Sequence, residues 1–226
     1  TLYKPSEWIA SWAKQFGSES IFELGIYSTE ADLGTSCLGY MLMCEGRKSG
    51  ASGWFIASDY FINRLKEDTT DVRLGLMYQD ELKYTHLGSC SKYMGGPNME
   101  GDGKETATAV NIKVIRLSEI YLIAAEAALH ASTPDPTAAA NYLNAIRCRA
   151  PQLTPATAST ITDDMILDER SKELFGEGQR FFDLIRMNKS IKFDDALCNI
   201  PVTKRDSIID RSFGKIVLPI SQDEIN

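Results

Sequence analysis

The chain has 226 residues, 43% of them hydrophobic, which is enough for one large folded domain or two small ones. Its 24 Lys and Arg residues against 31 Asp and Glu residues give a net charge of −7, and the basic residues are scattered along the sequence. Without a basic stripe, nucleic acid is not an expected partner.

The sequence contains neither a membrane span nor a targeting segment. Its longest apolar stretch, Ile120 to Leu129, is interrupted by Glu126 and is shorter than the roughly 20 residues of a membrane-spanning helix. The chain opens on Thr1 without an initiator Met or a signal peptide, which predicts a processed chain or an internal fragment. Five cysteines without a CxxC pair indicate neither a zinc site nor a disulfide framework, and we expect a free, buried thiol.

Residues 1–110 form a loop-rich segment with short helices, because Gly, Ser, Asn and aromatic residues are frequent and long helical periodicity is missing. One helix is predicted from Pro5 to Phe16. Trp8 and Trp12 lie one turn apart on it, a spacing that favours packing in the core.

Residues 111–226 form a helical segment with an extended C-terminal tail. Apolar residues recur at helical spacing from Arg116 to His130, and Asp135 and Pro136 are suited to start a second helix that ends near Arg149. This span of about 34 residues has the length of one tetratricopeptide unit. A second pair is predicted from Thr160 or Thr162 to Phe175 and from Gln179 to Asn188, with Gly176 and Gly178 between them.

The predicted fold is therefore mainly α, with tetratricopeptide-like helical hairpins, long irregular loops and little β structure. A single such hairpin cannot bury both of its faces, so further helices or the first half of the chain must cover it.

The segment from Asp168 to Arg186 concentrates charges among aromatic residues. Glu169, Glu173 and Glu177 are spaced four residues apart and line one helical face, and one interpretation is that two of these carboxylates serve as the acid and base of a glycosidase. Ion pairing with arginines is the favoured interpretation, because a guanidinium binds a carboxylate with two parallel hydrogen bonds. The nearby candidates are Arg170, Arg180 and Arg186.

The same segment resembles a hallmark of the SusD/RagB family: an ERxxEL run, then EGxR, then FDLIR. Further resemblances occur in the family's order at 115–127 and 143–150, with weaker ones at 20–24, 71–73 and 217–226. The sequence departs from the family pattern at Pro151, Asn188 and Ser221, which are loop positions.

The resemblance implies an outer-membrane lipoprotein of Bacteroidetes that binds oligosaccharides at the cell surface and delivers them to a SusC-like TonB-dependent transporter. It implies binding without cleavage and without a cofactor, and membrane attachment only through an N-terminal lipid anchor outside this chain. Two alternatives remain: a helical-repeat module that binds peptides or proteins, and a glycoside hydrolase.

For a glycan ligand, exposed aromatic rings and nearby polar groups are the expected contacts. In the loop from Gly46 to Tyr60 these are Trp54 and Tyr60, although Trp54 lies beside Phe55 and Ile56 and is more readily interpreted as a core residue. In the loop from Tyr84 to Gly103 the candidates are Tyr84, Tyr93 and Asn98, in a stretch that is equally typical of a plain surface excursion. His86, His130 and the acidic doublets at 163–164 and 194–195 match no metal-binding or triad pattern.

Overall fold

The structure is a computed structural model that describes residues 1–30, 34–43, 51–79, 87–192 and 208–210, with Ser212 and Ile216. By its internal contacts the chain divides into two units, Thr1–Glu177 and Gly178–Asn226. The helices are α1 (Pro5–Ser11), α2 (Leu38–Met41), α3 (Asp59–Leu65), α4 (Leu117–His130), α5 (Pro136–Arg147), α6 (Asp163–Glu173) and α7 (Arg180–Arg186). The strands are β1 (Ser20–Leu24), β2 (Met77–Gln79), β3 (Leu87–Cys90), β4 (Ile112–Arg116), β5 (Ile191–Lys192) and β6 (Ile208–Ile209).

The predicted mainly helical class is confirmed, and the described strands form three antiparallel pairs: β1 with β4, β2 with β3 and β5 with β6. The pairing of β1 with β4 joins the loop-rich segment to the helical segment within the first unit. The sequence division near residue 110 therefore falls inside one compact unit.

Helices α4 and α5 form the predicted tetratricopeptide-like hairpin. The Asp135 carboxylate accepts a hydrogen bond from the Ala138 backbone N–H at 2.9 Å, and Pro136 occupies the first helical position. Leu122, Leu143 and Ile146 are fully buried between the helices, together with small alanines that allow close approach. Burying one such side chain stabilises the fold by roughly 1.5–3 kcal/mol.

Helix α6 packs on this hairpin through Ile166. It begins at the predicted cap, where the Thr162 hydroxyl accepts from the Met165 N–H at 3.2 Å. It ends at Glu173 instead of Phe175. Gly176 and Gly178 then follow with φ of +78° and +81°, a left-handed backbone that favours glycine.

A second core surrounds α1. Trp8 and Trp12 are 1% and 4% exposed, which confirms their predicted burial, and they pack with residues of α3, β2 and β3. Helix α1 ends at Ser11 instead of the predicted Phe16, and the chain continues in tighter turns to Phe16, whose φ is +47°.

The β1–β4 pair reverses the usual arrangement of apolar side chains inside and charged side chains outside. Its charged residues Glu23, Lys113 and Arg116 are buried, whereas apolar residues of both strands are exposed. The exposed residues are Ile21, Phe22, Leu24, Val114 and Ile115. The buried face is thus held by charge pairing, and the outward face is an apolar surface of the kind typical of contact sites.

In the second unit, α7 is shorter than the predicted helix from Gln179 to Asn188. It ends at Arg186, close to Asn188, whose φ is +54°. The rings of Phe181 and Phe182 pack edge to face at 5.5 Å, and the Arg186 guanidinium donates to the Asp183 carboxylate at 2.9 Å.

The described cysteines are all free. Cys37 and Cys90 are buried, in agreement with the expectation of a free, buried thiol, and Cys148 is exposed. Cys44 and Cys198 lie outside the described residues. Within the described ranges, no helix has the length and apolar character needed to cross a membrane.

Candidate ligand-binding segment

Trp54 is exposed on a loop whose backbone is fixed from both sides. The Ser52 N–H donates to the Tyr40 carbonyl at 2.9 Å, and the Phe55 N–H donates to the Met41 carbonyl at 3.0 Å. The Ala57 N–H donates to the Gly88 carbonyl at 3.0 Å. The Trp54 side chain is 70% exposed, so the alternative of a core tryptophan does not hold. Because the loop backbone is already fixed, a ligand that binds at this indole does not have to offset a loss of conformational entropy in the loop.

Tyr60 follows on the outer face of α3. The Ser58 hydroxyl caps this helix by accepting from the Phe61 N–H at 3.2 Å. Ile62 and Leu65 are buried in the core, and the ring of Phe61 stacks on Phe175 at 4.3 Å, which fixes the inner face of the helix. Tyr60 points the other way and is 64% exposed.

An outward stripe of mixed chemistry runs along this helix. Tyr60, Asn63 and Arg64 are spaced i, i+3 and i+4 on α3, which places them on one face, and Glu67 lies in the turn just after the helix. Asn63 and Glu67 are exposed, and Arg64 is partly exposed. We call residues 52–67 the aromatic segment. It combines aromatic rings with amide, guanidinium and carboxylate groups, the set that a sugar requires for stacking and hydrogen bonding.

The remaining predicted ligand residues are placed differently. Tyr93 is only 2% exposed, and its ring packs edge to face on Trp12 at 5.8 Å, so its ring is not available to a ligand. This corrects the expectation that Tyr93 forms a stacking surface; burial also raises its pKa well above the ordinary value. Asn98 is exposed in a turn, and Tyr84 lies outside the described residues.

The three glutamates of the hallmark segment belong to a buried charge cluster. Glu173 contacts Arg116 at 3.1 Å and Arg149 at 3.2 Å, and Glu177 contacts Arg116 at 2.8 Å. Glu169 binds Arg73, whose guanidinium also holds Asp71 at 2.7 Å. Ion pairing is confirmed, but the partners come from distant segments, whereas the neighbouring Arg170 pairs with Glu119 at 3.4 Å.

The charges of this cluster are incompatible with general-acid chemistry. Burial alone would raise the pKa of Glu173, but Arg149, Arg116 and Arg73 outweigh it and lower this pKa to about 2. Burial opposes ionisation of Glu177 as well, yet Arg116 and Lys92 lower its pKa. A glycosidase acid needs a raised pKa and access to substrate. These carboxylates instead fix α6 and the turn after it to the rest of the first unit.

Two tryptophans lie against the cations of this cluster. The Lys92 ammonium is 4.5 Å from the Trp12 ring centre, and the Arg149 guanidinium is 5.0 Å from that of Trp8. Lys92 also donates to the Glu173 carbonyl at 2.9 Å and to the Glu177 carboxylate at 2.6 Å. Cation–π contacts of buried groups add to stability, so the apolar core and the charge cluster support one another.

The cluster predicts acid sensitivity. Glu173 has a folded pKa of about 2 against an ordinary value of 4.5, so its stabilisation is complete above pH 4.5 and is lost as pH falls toward 2. We expect this residue to account for a loss of about 3 kcal/mol in the free energy of unfolding across that window. Urea unfolding at pH 7, 4.5, 3 and 2.5 measures it. A Glu173→Gln protein with the same pH dependence as the wild type would contradict the assignment.

Within the described ranges, no group of three or more His, Cys, Asp and Glu residues could hold a metal ion. His130 approaches Asp163 at 2.8 Å on the surface, a pair that the sequence did not reveal.

Comparison with known proteins places these features in a family context. The model of the SusD family matches residues 81–226, and no curated protein matches. A SusD superfamily protein from Bacteroides thetaiotaomicron is 32% identical with a TM-score of 0.84, over 100% of this chain and 50% of its own. One from Bacteroides vulgatus is 33% identical with a TM-score of 0.80, over 100% and 48%.

A more distant structure has a bound glycan. The surface glycan-binding protein A from Bacteroides thetaiotaomicron, in complex with laminarihexaose, is 21% identical with a TM-score of 0.56, over 80% of this chain and 45% of its own. At that identity the likeness concerns the fold. The chain spans about half the length of the solved structures that it matches.

Proposed function

Because the chain belongs to the SusD family, we propose that it binds oligosaccharides at the bacterial cell surface, without cleaving them, for delivery to a SusC-like TonB-dependent transporter. The location that goes with this function is the outer membrane, with attachment through an N-terminal lipid anchor. The glycan in the distant relative, laminarihexaose, supports oligosaccharide as the ligand class.

The observation that carries this proposal is the exposure of Trp54 on a backbone-fixed loop, followed by Tyr60 on the outer face of α3. Sugar rings have apolar C–H faces that stack on indole and phenol rings, and their hydroxyl groups need polar partners. Asn63 on the same helix face and Asn98 in its exposed turn are candidates for those hydrogen bonds. Trp54 is proposed as the principal contact.

Binding without cleavage is supported by the state of the carboxylates at 169, 173 and 177. The three side chains are at most 5% exposed and are engaged by guanidinium groups, and the pKa values of Glu173 and Glu177 are lowered, whereas a glycosidase acid needs a raised pKa. No cofactor is proposed, because stacking and hydrogen bonding suffice for capture.

Truncation of Trp54 tests the proposal. We expect Trp54→Ala to weaken oligosaccharide binding by at least about 2 kcal/mol, or roughly 30-fold in Kd, because a central aromatic contact would be lost. The thermal midpoint should stay near that of the wild type, since the side chain is largely exposed. Calorimetric titration against host, plant and microbial oligosaccharides, laminarihexaose included, gives the measurement.

Phe16→Ala is the matched control, because Phe16 is also exposed but belongs to another segment. Equal affinities for Trp54→Ala and the wild type would contradict the site. Binding of peptides in place of every glycan would favour the peptide-binding alternative.

A further inference from the structure

The two faces of the exposed Tyr60 ring are not equivalent. The guanidinium carbon of Arg64 lies over this ring, 5.1 Å from its centre. The residues are four apart on α3, so their side chains share one side of the helix. Tyr60 nevertheless remains 64% exposed. One ring face is therefore covered by a cation, and the rest of the ring is open to solvent.

Arg64 is itself held in place from α6. Its side chain is 16% exposed and forms an ion pair with Asp168. Asp168 also accepts from the Lys172 ammonium at 3.0 Å, and Lys172, whose side chain is 1% exposed, reaches Glu67 at 3.2 Å. This series of charges ties Arg64 and the turn after α3 to a helix that packs on the hairpin core. The guanidinium consequently has little freedom to leave the ring.

We propose that Arg64 is a positioning residue that orders the Tyr60 ring for stacking on a ligand. A guanidinium is planar and packs flat on an aromatic ring, which suits it to this task better than an ammonium. Without it, an exposed tyrosine samples several rotamers and must be ordered at the moment of binding. The role in ligand binding rests on the proposed function, whereas the ordering of the ring does not.

Fluorine NMR of the 3-fluorotyrosine-labelled protein tests the ordering directly. The Tyr60 resonance is identified by its loss in Tyr60→Phe. We expect Arg64→Gln to shift and sharpen it, because the ring loses its cation and gains motion. Arg64→Lys, which keeps the charge near Asp168 but not the planar group, should change it in the same direction. Lys66→Gln, a neighbouring exposed cation at the end of α3, is the control. An unchanged Tyr60 resonance in Arg64→Gln would overturn the inference.

Titration with laminarihexaose separates this inference from the proposed function. We expect Arg64→Gln to weaken binding roughly 3-fold to 10-fold in the wild-type background and to add nothing in a Tyr60→Ala background. If Tyr60→Ala binds as tightly as the wild type, Tyr60 is not a ligand contact and the binding role falls. If Tyr60→Ala weakens binding but Arg64→Gln does not, the positioning role alone is wrong. If this glycan does not bind, the NMR result decides whether Arg64 orders the ring.

Discussion

Glu173→Gln is expected to lower the free energy of unfolding by about 3–5 kcal/mol, the range for breaking a buried ion pair by removing one partner. Glu173 is 0% exposed and lies against Arg116, Arg149 and Arg73. The amide keeps the shape of the side chain but leaves these guanidinium groups without one of their buried anions. Urea denaturation at pH 7, followed by fluorescence or circular dichroism, measures the change.

Glu67→Gln is the control for that experiment. Glu67 is 54% exposed, and its partner Lys172 keeps Asp168 at 3.0 Å when Glu67 is neutralised. The expected loss is below about 1 kcal/mol. If both variants lost the same free energy of unfolding, burial of the charge cluster would not determine how much the cluster contributes to stability.

Trp8→Ala is expected to destabilise the protein by about 3–5 kcal/mol, as for other large-to-small changes of buried aromatic residues. Trp8 is 1% exposed, packs edge to face on Trp12 at 5.9 Å and lies under the Arg149 guanidinium. Removing the indole leaves a cavity, and the buried Arg149 guanidinium loses the ring on which it packs. Thermal and urea unfolding both measure the loss.

The stability of Trp8→Phe shows how much of the loss in Trp8→Ala comes from missing volume and how much from the missing indole. Phenylalanine restores most of the ring, so we expect a smaller loss than for alanine. A Trp8→Ala protein as stable as the wild type would contradict the assignment of Trp8 to the core.

The helical hairpin was predictable because its signals are local. Apolar residues at helical spacing, the cap at Asp135 and the proline at 136 all lie within the elements they define. The same holds for the start of α6 at Thr162. Family membership was predictable for a similar reason, since the hallmark charges and aromatics are contiguous in the sequence.

The partners of the buried glutamates were not predictable from spacing. Arg73 and Glu169 are 96 residues apart, and Arg149 reaches Glu19 across 130 residues. The sequence shows that such charges need partners, but only the tertiary fold brings distant arginines to them. The neighbouring Arg170 was a poorer choice because it lies on another side of α6 and reaches Glu119 instead.

The aromatic candidates show the same limit. Trp54 is flanked by Phe55 and Ile56, a context that favours burial, yet the hydrogen bonds that fix its loop to α2 leave the indole outside. Tyr93 lies in a loop rich in glycine, yet its ring fills the core beside Trp12. Local composition identified both loops but did not determine which aromatic side chains point outward.

Tryptophan fluorescence during glycan titration tests the central claim most directly. All three tryptophans lie in the described part of the chain; Trp8 and Trp12 are buried, and Trp54 is exposed. A sugar stacked on Trp54 should therefore shift the emission of the wild type to shorter wavelength, and Trp54→Phe should abolish that shift while Trp8 and Trp12 still emit. Glycan binding that leaves the emission unchanged, or a shift that persists in Trp54→Phe, would contradict capture at this residue.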